Sequence, residues 1–383
     1  MSHAEFDERS VDLSAFLADI DAIRREVTAD LGAADIAHLR FIERIGRAAT
    51  ALGLATCWVA PNPLSMAALS LGRSTRWLMM HHCGHRGYDR VPDIAPRYTS
   101  KVFGIARRRF LDFADWMLPD AWNYEHNVLH HGNTGEERDP DLIERNTEWL
   151  RSSSLPLPVK YAAVGFLALT WRSFYYAPNT LRAWLAKDLK EPIADGEEPP
   201  GYASMLWIHS YLPYATLQFV ALPLAFFPLG PWAVASALTN SLGGEALTNL
   251  HTFTVVGPNH TGDDIYRFDS RPLSRGEAML RQVLGSTNYA CGNEWLDYGQ
   301  LYLNYQIEHH LYPDLPMARY REVQPKVQAV CEKHGVPYLQ ESVFTRLKKM
   351  LAVAVGTASM KRSAGLRGKR SVAAGASKPT DTP

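Results

Sequence analysis

Three histidine clusters carry most of the chemistry this chain can do. His81, His82 and His85 stand in HHCGH, His126, His130 and His131 in HNVLHH, and His309 and His310 close QIEHH. Imidazole is the commonest transition-metal ligand near neutral pH because it binds metal while uncharged. On a helix His81 and His85 are i and i+4, as are His126 and His130, while Gln306 and His309 are i and i+3. Each pair therefore shares one helical face and can grip an ion without distorting the backbone. A lone H-x-x-x-H is commonly a surface accident or a capping histidine. Three clusters beside apolar segments point to a multi-histidine metal centre.

So many imidazoles exceed what one tetrahedral zinc takes and fit two transition ions held side by side. Iron, copper, nickel and zinc all suit imidazole, so the residues leave the metal open. Soluble di-iron bundles use Glu and Glu-x-x-His, and no E-x-x-H occurs in these clusters. Glu125 and Glu308 directly precede their histidines and point about 100° away on a helix. They are expected to accept from ring N–H groups around the metals, with solvated faces as the alternative.

These clusters need elements to hold them. The chain has 383 residues, no net formal charge and a mean hydropathy of −0.20. Nothing in that balance points to nucleic acid. Cys57, Cys83, Cys291 and Cys331 form no C-x-x-C pair, which argues against a zinc ribbon, an iron–sulfur cluster or a disulfide scaffold and suits a reducing compartment. The acidic, polar start does not read as a secretory signal. Apolar residues are strongly segregated into 45–80, 155–176, 203–229 and 231–256. A bilayer span needs about 20 of them. Buried helices of a soluble protein are the alternative reading.

A shared metal centre requires all three clusters on one side of a membrane, hence an even number of spans between them. That predicts spans at roughly 45–60, 63–80, 203–229 and 231–256, with a turn at Pro61-Asn62-Pro63. Segment 155–176, which holds Lys160 and Arg172, is then expected to lie along the interface. Arg86, Arg90, Lys101, Arg107, Arg108 and Arg109 make the clustered side cytoplasmic, with both termini. The expected fold class is thus all-α: a membrane-embedded four-span helical bundle with a cytosolic helical cap carrying a histidine-ligated dimetal centre. Residues 1–44 are expected to be cytosolic amphipathic helices, with Leu13, Phe16, Leu17, Ile20, Ile23 and Val27 on one face of residues 12–30. Tyr320 to Val336 reads as one helix. Residues 356–383 read as a disordered basic tail whose Lys361, Arg362, Arg367, Lys369 and Arg370 either touch anionic lipid or merely solubilise.

The clusters resemble the three histidine boxes of the membrane fatty acid desaturase family, H-x-x-x-H, H-x-x-x-H-H and Q-x-x-H-H. LNYQIEHHLYPDLP, from Leu303 to Pro316, is closely similar to the third box of front-end acyl desaturases, where Gln replaces the first histidine. RYREVQPKVQAVCEKHGVPY resembles the helix after that box, and HNVLHHGNTGEERDPDL, with Asp139-Pro140-Asp141, resembles the second. The similarity covers about residues 75–340, within an expected desaturase domain of 45–345. It implies two iron ions at the cytosolic ends of a four-span bundle, O2 as co-substrate, and an oxidoreductase acting on paired donors. The product is a cis double bond in an acyl chain linked to lipid or CoA. Implied ligands are His81, His85, His126, His130, His131, His260, His309 and His310. His260 enters because Asn259-His260 matches the family's Asn-His pair after the last span. His82, His251, Gln306, Asn259, Glu125 and Glu308 are implied as further ligands or outer partners. His82 stands where the family more often has Asp, which leaves its role open. His251, nine residues before His260, is out of phase on a straight helix but is followed by Gly257-Pro258, which would break it. Its alternative is a bond to a neighbouring helix or an acyl head group.

With no haem-binding cytochrome segment in view, a separate ferredoxin or cytochrome with its reductase is expected to donate electrons, with membrane lipids as neighbours and a bacterial inner membrane as the setting. An apolar tunnel must set the reacting carbon, and Trp122, Tyr211, Phe219 and Trp232 are candidates to line it, with membrane-facing aromatics as the other reading. Hydroxylation by the same centre is a rival chemistry, and a non-catalytic metal-binding or transport protein is a rival class. Transport would place ionisable groups mid-span, and the central segments read as almost uncharged. His3, His38, His209 and His334 read as structural or solvent-exposed.

Overall fold

The computed structural model describes residues 6–189 and 197–363. His3, Arg367, Lys369 and Arg370 lie outside the described residues. The chain is mostly helical, and two three-residue strands form the only sheet among the described residues. The N-terminal helix Leu13–Ala29 starts where the Asp12 carboxylate accepts from the Ser14 and Ala15 N–H groups. It buries Phe16, Ile20, Ile23 and Val27, facing helices Arg275–Leu284 and Tyr320–Lys333. The last of these ends three residues before the expected Val336, where the His334 N–H donates to the carbonyls of Val330 and Glu332 and so caps the last turn.

Helices Ala33–Thr56 and Pro63–Gly84 form a hairpin. Its turn is held by Asn62, whose side chain accepts from the Ser65 N–H at 2.8 Å. The two helices meet closely: a Cβ on Gly46 would stand 2.6 Å from Thr75 Cγ2. Helix Pro231–Val256 packs on Pro63–Gly84. Among the described residues one helix, Tyr202–Leu229, is long and apolar enough to cross a membrane. Trp207, Ile208, Leu212, Leu224 and Phe227 stand exposed along it.

The expectation that the long helices are almost uncharged inside is corrected by Glu245. It is buried in the middle of Pro231–Val256 and accepts from Tyr214 Oη at 2.5 Å, Trp116 Nε1 at 2.8 Å and Arg172 Nη1 at 3.3 Å. Arg172 also pairs with the buried Asp115. Arg73 donates to Gln218 Oε1 at 3.0 Å and Ser241 Oγ at 2.7 Å. Every charge in this cluster has partners, as buried charges must, and the cluster ties four chain segments together.

Helix Leu157–Trp171 continues through a wide turn, Arg172–Tyr176, into Ala177–Ala186. Near its start Lys160 donates to Arg151 O at 2.8 Å, Trp171 Nε1 donates to Asn249 O and Thr252 Oγ1 at 3.0 Å each, and Tyr176 Oη accepts from Trp122 at 3.0 Å. It therefore crosses the end of Pro231–Val256 that leads into the histidine cluster. A tail disordered from 356 is corrected in part: Lys361–Ser363 pairs in parallel with Tyr266–Phe268, so the described start of the tail is held by backbone bonds.

Candidate metal centre

The three clusters converge. His81 and His85 stand at the end of helix Pro63–Gly84, whose last turn delivers both to one side. The second cluster lies on a π-helix, Asn123–His130, in which the His131 N–H reaches back to His126 O. This i→i+5 bonding widens the turn by one residue and brings His126, His130 and His131 together inside. The third lies on the short helix Gln306–Leu311, buried along its whole length.

Nitrogens of His81, His85, His126 and His309 all lie within 4.8 Å of one another. Those of His130, His260 and His310 form a second such set. His131 stands between the sets, its ring centroid 4.6 Å from that of His85 and 4.1 Å from that of His310, the latter stacked. His82 is buried beside the first set, 5.0 Å from the His81 ring, without joining it. Asp141 lies within the same 4.8 Å limit of His126 and His130.

Four histidines are aimed by their Nδ1 atoms. The His130 Nδ1–H donates to Asp139 at 2.8 Å and the His260 Nδ1–H to Gly285 O at 2.9 Å. Gln282 Nε2 donates to His131 O, so its Oε1 is left to accept from His310 Nδ1 at 2.8 Å. The Tyr320 hydroxyl donates to Tyr312 O and accepts from His309 Nδ1 at 3.1 Å. In each ring the proton is thereby fixed on Nδ1, and Nε2 carries a lone pair into the cluster. His81 Nε2 and His309 Nε2 are 3.1 Å apart. Two nitrogens each about 2.1 Å from one ion, at roughly a right angle, have that separation. Both ring nitrogens of His126 and His131, and Nε2 of His85 and His310, are buried without a hydrogen-bond partner. Buried polar atoms are rarely left so, and a metal ion is what this donor set fits.

Burial holds His85, His131, His309 and His310 well below the usual imidazole range, His126 down to about 4 and His260 to about 3. Burial also presses on His130, but Asp139 and Asp141 outweigh it and hold that ring above its ordinary value. The cluster is thus mainly neutral imidazole at neutral pH, the form that binds metal.

Several expectations are corrected. His251 is absent from both sets: its nitrogens lie 3.0 Å from Ser74 Oγ and 2.7 Å from Gly299 O, because the helix runs straight to Val256 and turns only at Gly257–His260. It bonds neighbouring segments instead. Glu308 meets no ring. It accepts from Asn288 Nδ2 at 2.7 Å and Tyr338 Oη at 2.8 Å, and burial raises its carboxyl to about 7. Glu125 is buried with both oxygens unpartnered, and burial with Asp141 and Asp139 nearby raises it well above the carboxylate range. The acceptors for ring N–H groups are instead Asp139, Gln282, Tyr320 and Gly285. DPD flagged Asp139. Gln282 and Gly285 carried no sequence signal, being far from the boxes or acting through backbone, whereas Tyr320 stands in the stretch that resembles the helix after the third box. Gln306 accepts from Asn259 Nδ2 at 2.9 Å, and its Nε2 stands 2.8 Å from His260 Nε2. His38 meets Glu294 and Tyr302, and His334 meets Asp19.

An apolar cavity of about 380 Å³ ends on His81, His126, His130 and His260. Its walls come from Trp77, Leu150, Val164, Leu167, Trp171 and Phe253. None of Trp122, Tyr211, Phe219 or Trp232 lines it. Trp122 stacks on His126 at 4.7 Å instead. A separate cleft reaches His85 and His131 beside Arg86, Arg90 and Val128. The histidine cluster is therefore open to two sides through different residues.

Residues 55–342 match the fatty acid desaturase family. The chain belongs to that family. The desaturase is similar to the NADPH-dependent stearoyl-CoA 9-desaturase of Mycobacterium tuberculosis, 25% identical over 371 residues that cover 88% of this chain and 78% of the relative. It is also similar to Delta(8)-fatty-acid desaturase 1 of Arabidopsis thaliana, 35% identical over 239 residues, 58% of this chain and 49% of the relative. The Acyl-lipid (7-3)-desaturase of Rebecca salina is 30% identical over 234 residues, 57% and 48%. Family and relatives identify the desaturase as an oxygen-dependent acyl desaturase.

Proposed function

We propose that the two histidine sets hold two iron ions and that the apolar cavity delivers an acyl chain to them. The carrying observation is that the cavity ends on His81, His126, His130 and His260, members of both sets. His85, His131, His309 and His310 complete the ligands. Bound there, iron would supply from O2 the oxidising power that no acid or base in the chain has, since acyl methylenes carry no acidic proton.

The reaction balances simply. Two C–H bonds on adjacent carbons break and one C=C bond forms. O2 gains four electrons, two from the acyl chain and two from a donor, and leaves as two waters after taking up two solvent protons. The chain's residues position the partners: Asp139, Gln282, Tyr320 and Gly285 fix the rings, and Trp77, Trp171 and Phe253 keep water from the acyl carbons.

Helix Ala33–Thr56 from about residue 45 onward, with Pro63–Gly84, Tyr202–Leu229 and Pro231–Val256, carries the four membrane segments. Helix Pro63–Gly84, of 22 residues, reaches about 33 Å, enough for a hydrocarbon core of about 30 Å. The histidines then lie on the cytoplasmic side. Electrons from a ferredoxin or cytochrome arrive through the cleft at His85 and His131, whose lining shares no residue with the acyl cavity. Purified full-length protein should hold about two irons per chain, as a two-metal site requires. With O2 and a reducing system it should turn a saturated acyl chain into a cis-alkene. A single tight zinc, or a hydroxylated product without new unsaturation, would overturn the reading.

A further inference from the structure

The rim of the acyl cavity is made of three large aromatic side chains that face outward. Trp149, Phe166 and Phe174 are 67%, 62% and 68% exposed, although each lines the cavity. The two phenylalanine rings touch, with centroids 6.1 Å apart. Exposed apolar surface costs roughly 25 cal/mol per Å² against water, and a contiguous patch marks a surface that something apolar covers. The surrounding helix shows what covers it. Leu157, Val159, Tyr161 and Leu169 are also exposed on Leu157–Trp171, and its single lysine, Lys160, is buried and turned to Arg151 O. An outward face that is apolar and uncharged suits lipid.

The two arginines that flank Trp149 in the chain, Arg145 and Arg151, are engaged within the chain. Arg145 donates to Glu137 O and to Asn146 Oδ1 at 3.0 Å, and Arg151 donates to Val353 O and to Ala358 O at 3.1 Å. No lysine or arginine lines the cavity among the described residues. A CoA thioester brings a pyrophosphate and a further phosphate, which need cations to hold them. A glycerolipid in the bilayer needs none at this mouth, because the membrane itself holds its head group.

We infer that the substrate is an acyl chain still esterified to a bilayer glycerolipid, which enters sideways from the lipid phase between Trp149, Phe166 and Phe174. This rests on the desaturase reading of the same site. Iron-loaded full-length protein is placed in nanodiscs of saturated diacyl phosphatidylcholine and, separately, in ether-lipid nanodiscs with stearoyl-CoA. NADPH, a plant-type ferredoxin and its reductase drive both. Intact-lipid mass spectrometry should find the double bond on phosphatidylcholine, with the CoA arm at least tenfold slower. Faster turnover of the CoA ester would overturn the inference and leave the desaturase reading standing. A readout without turnover separates the two readings. Phosphatidylcholine with a mid-chain diazirine should crosslink to the 163–174 segment, and saturated phosphatidylcholine should compete. Crosslinking without product in either arm would overturn the desaturase reading alone, and absence of crosslinking would overturn the entry route. Phe174→Arg should keep wild-type iron content and thermal stability but lose crosslinking and lipid turnover at least tenfold. Wild-type behaviour of that variant would also overturn the route.

Discussion

The Nε2 atoms of His81 and His309 stand 3.1 Å apart although 228 residues separate them in the chain. The Tyr320 hydroxyl holds the His309 proton on Nδ1, so the His309 Nε2 lone pair faces His81 Nε2. On the proposed reading each of the two rings is a metal ligand. His309→Ala is expected to abolish product and to lower iron content while expression and membrane insertion persist. Elemental analysis beside product profiling checks this. An active, fully loaded variant would remove His309 from the centre.

Asp139 acts on the second set through His130. Its carboxylate fixes the tautomer, and outer partners of this kind are typically worth about 10–100-fold in metal affinity or activity. Asp139→Asn should therefore weaken iron retention against a chelator by that order. Glu308→Gln should change retention far less, because Glu308 bonds Asn288 and Tyr338. Equal loss in both variants would contradict the assignment.

His251→Ala tests whether that ring stands outside the centre. With its nitrogens on Ser74 and Gly299, iron per chain is expected to stay at the wild-type value. A modest fall in melting temperature is the expected cost of two lost hydrogen bonds, each worth about 1 kcal/mol. Loss of one iron would place His251 in the centre after all.

Glu245 holds Arg172, Tyr214 and Trp116 at once. Removing one partner of a buried ion pair typically costs about 3–5 kcal/mol, since the other charge stays buried. Glu245→Ala should destabilise the detergent-solubilised protein by about that amount in a denaturant titration. An unchanged midpoint would mean that Arg172 is satisfied by Asp115 alone.

Electron entry through the outer cleft can be separated from chemistry at the metals. Val128 is exposed in that cleft beside Arg86 and Arg90. Val128→Glu is expected to raise the KM for a ferredoxin donor while dithionite still reduces the bound iron at the wild-type rate. A variant with normal donor kinetics would place the docking surface elsewhere.

What the sequence determined by itself was local. Helical geometry puts His81 with His85 and His126 with His130 on common faces wherever those helices lie, and Asp12 and Asn62 start their helices from their own side chains. The third box, QIEHH, carried the family. Packing decided the rest. His126 and His130 are neighbours in one box, yet His126 joins His81, His85 and His309, while His130 joins His260 and His310. His251 was kept out by a helix that stays straight to Val256. Gln282 became a histidine partner from a segment with no motif, Tyr320 became one through the packing of the helix after the third box, and Leu157–Trp171 became a cavity wall. The physical reason is the same in each case. Spacing along a helix is fixed by its pitch and rise, whereas the approach of distant segments depends on which side chains fit between them.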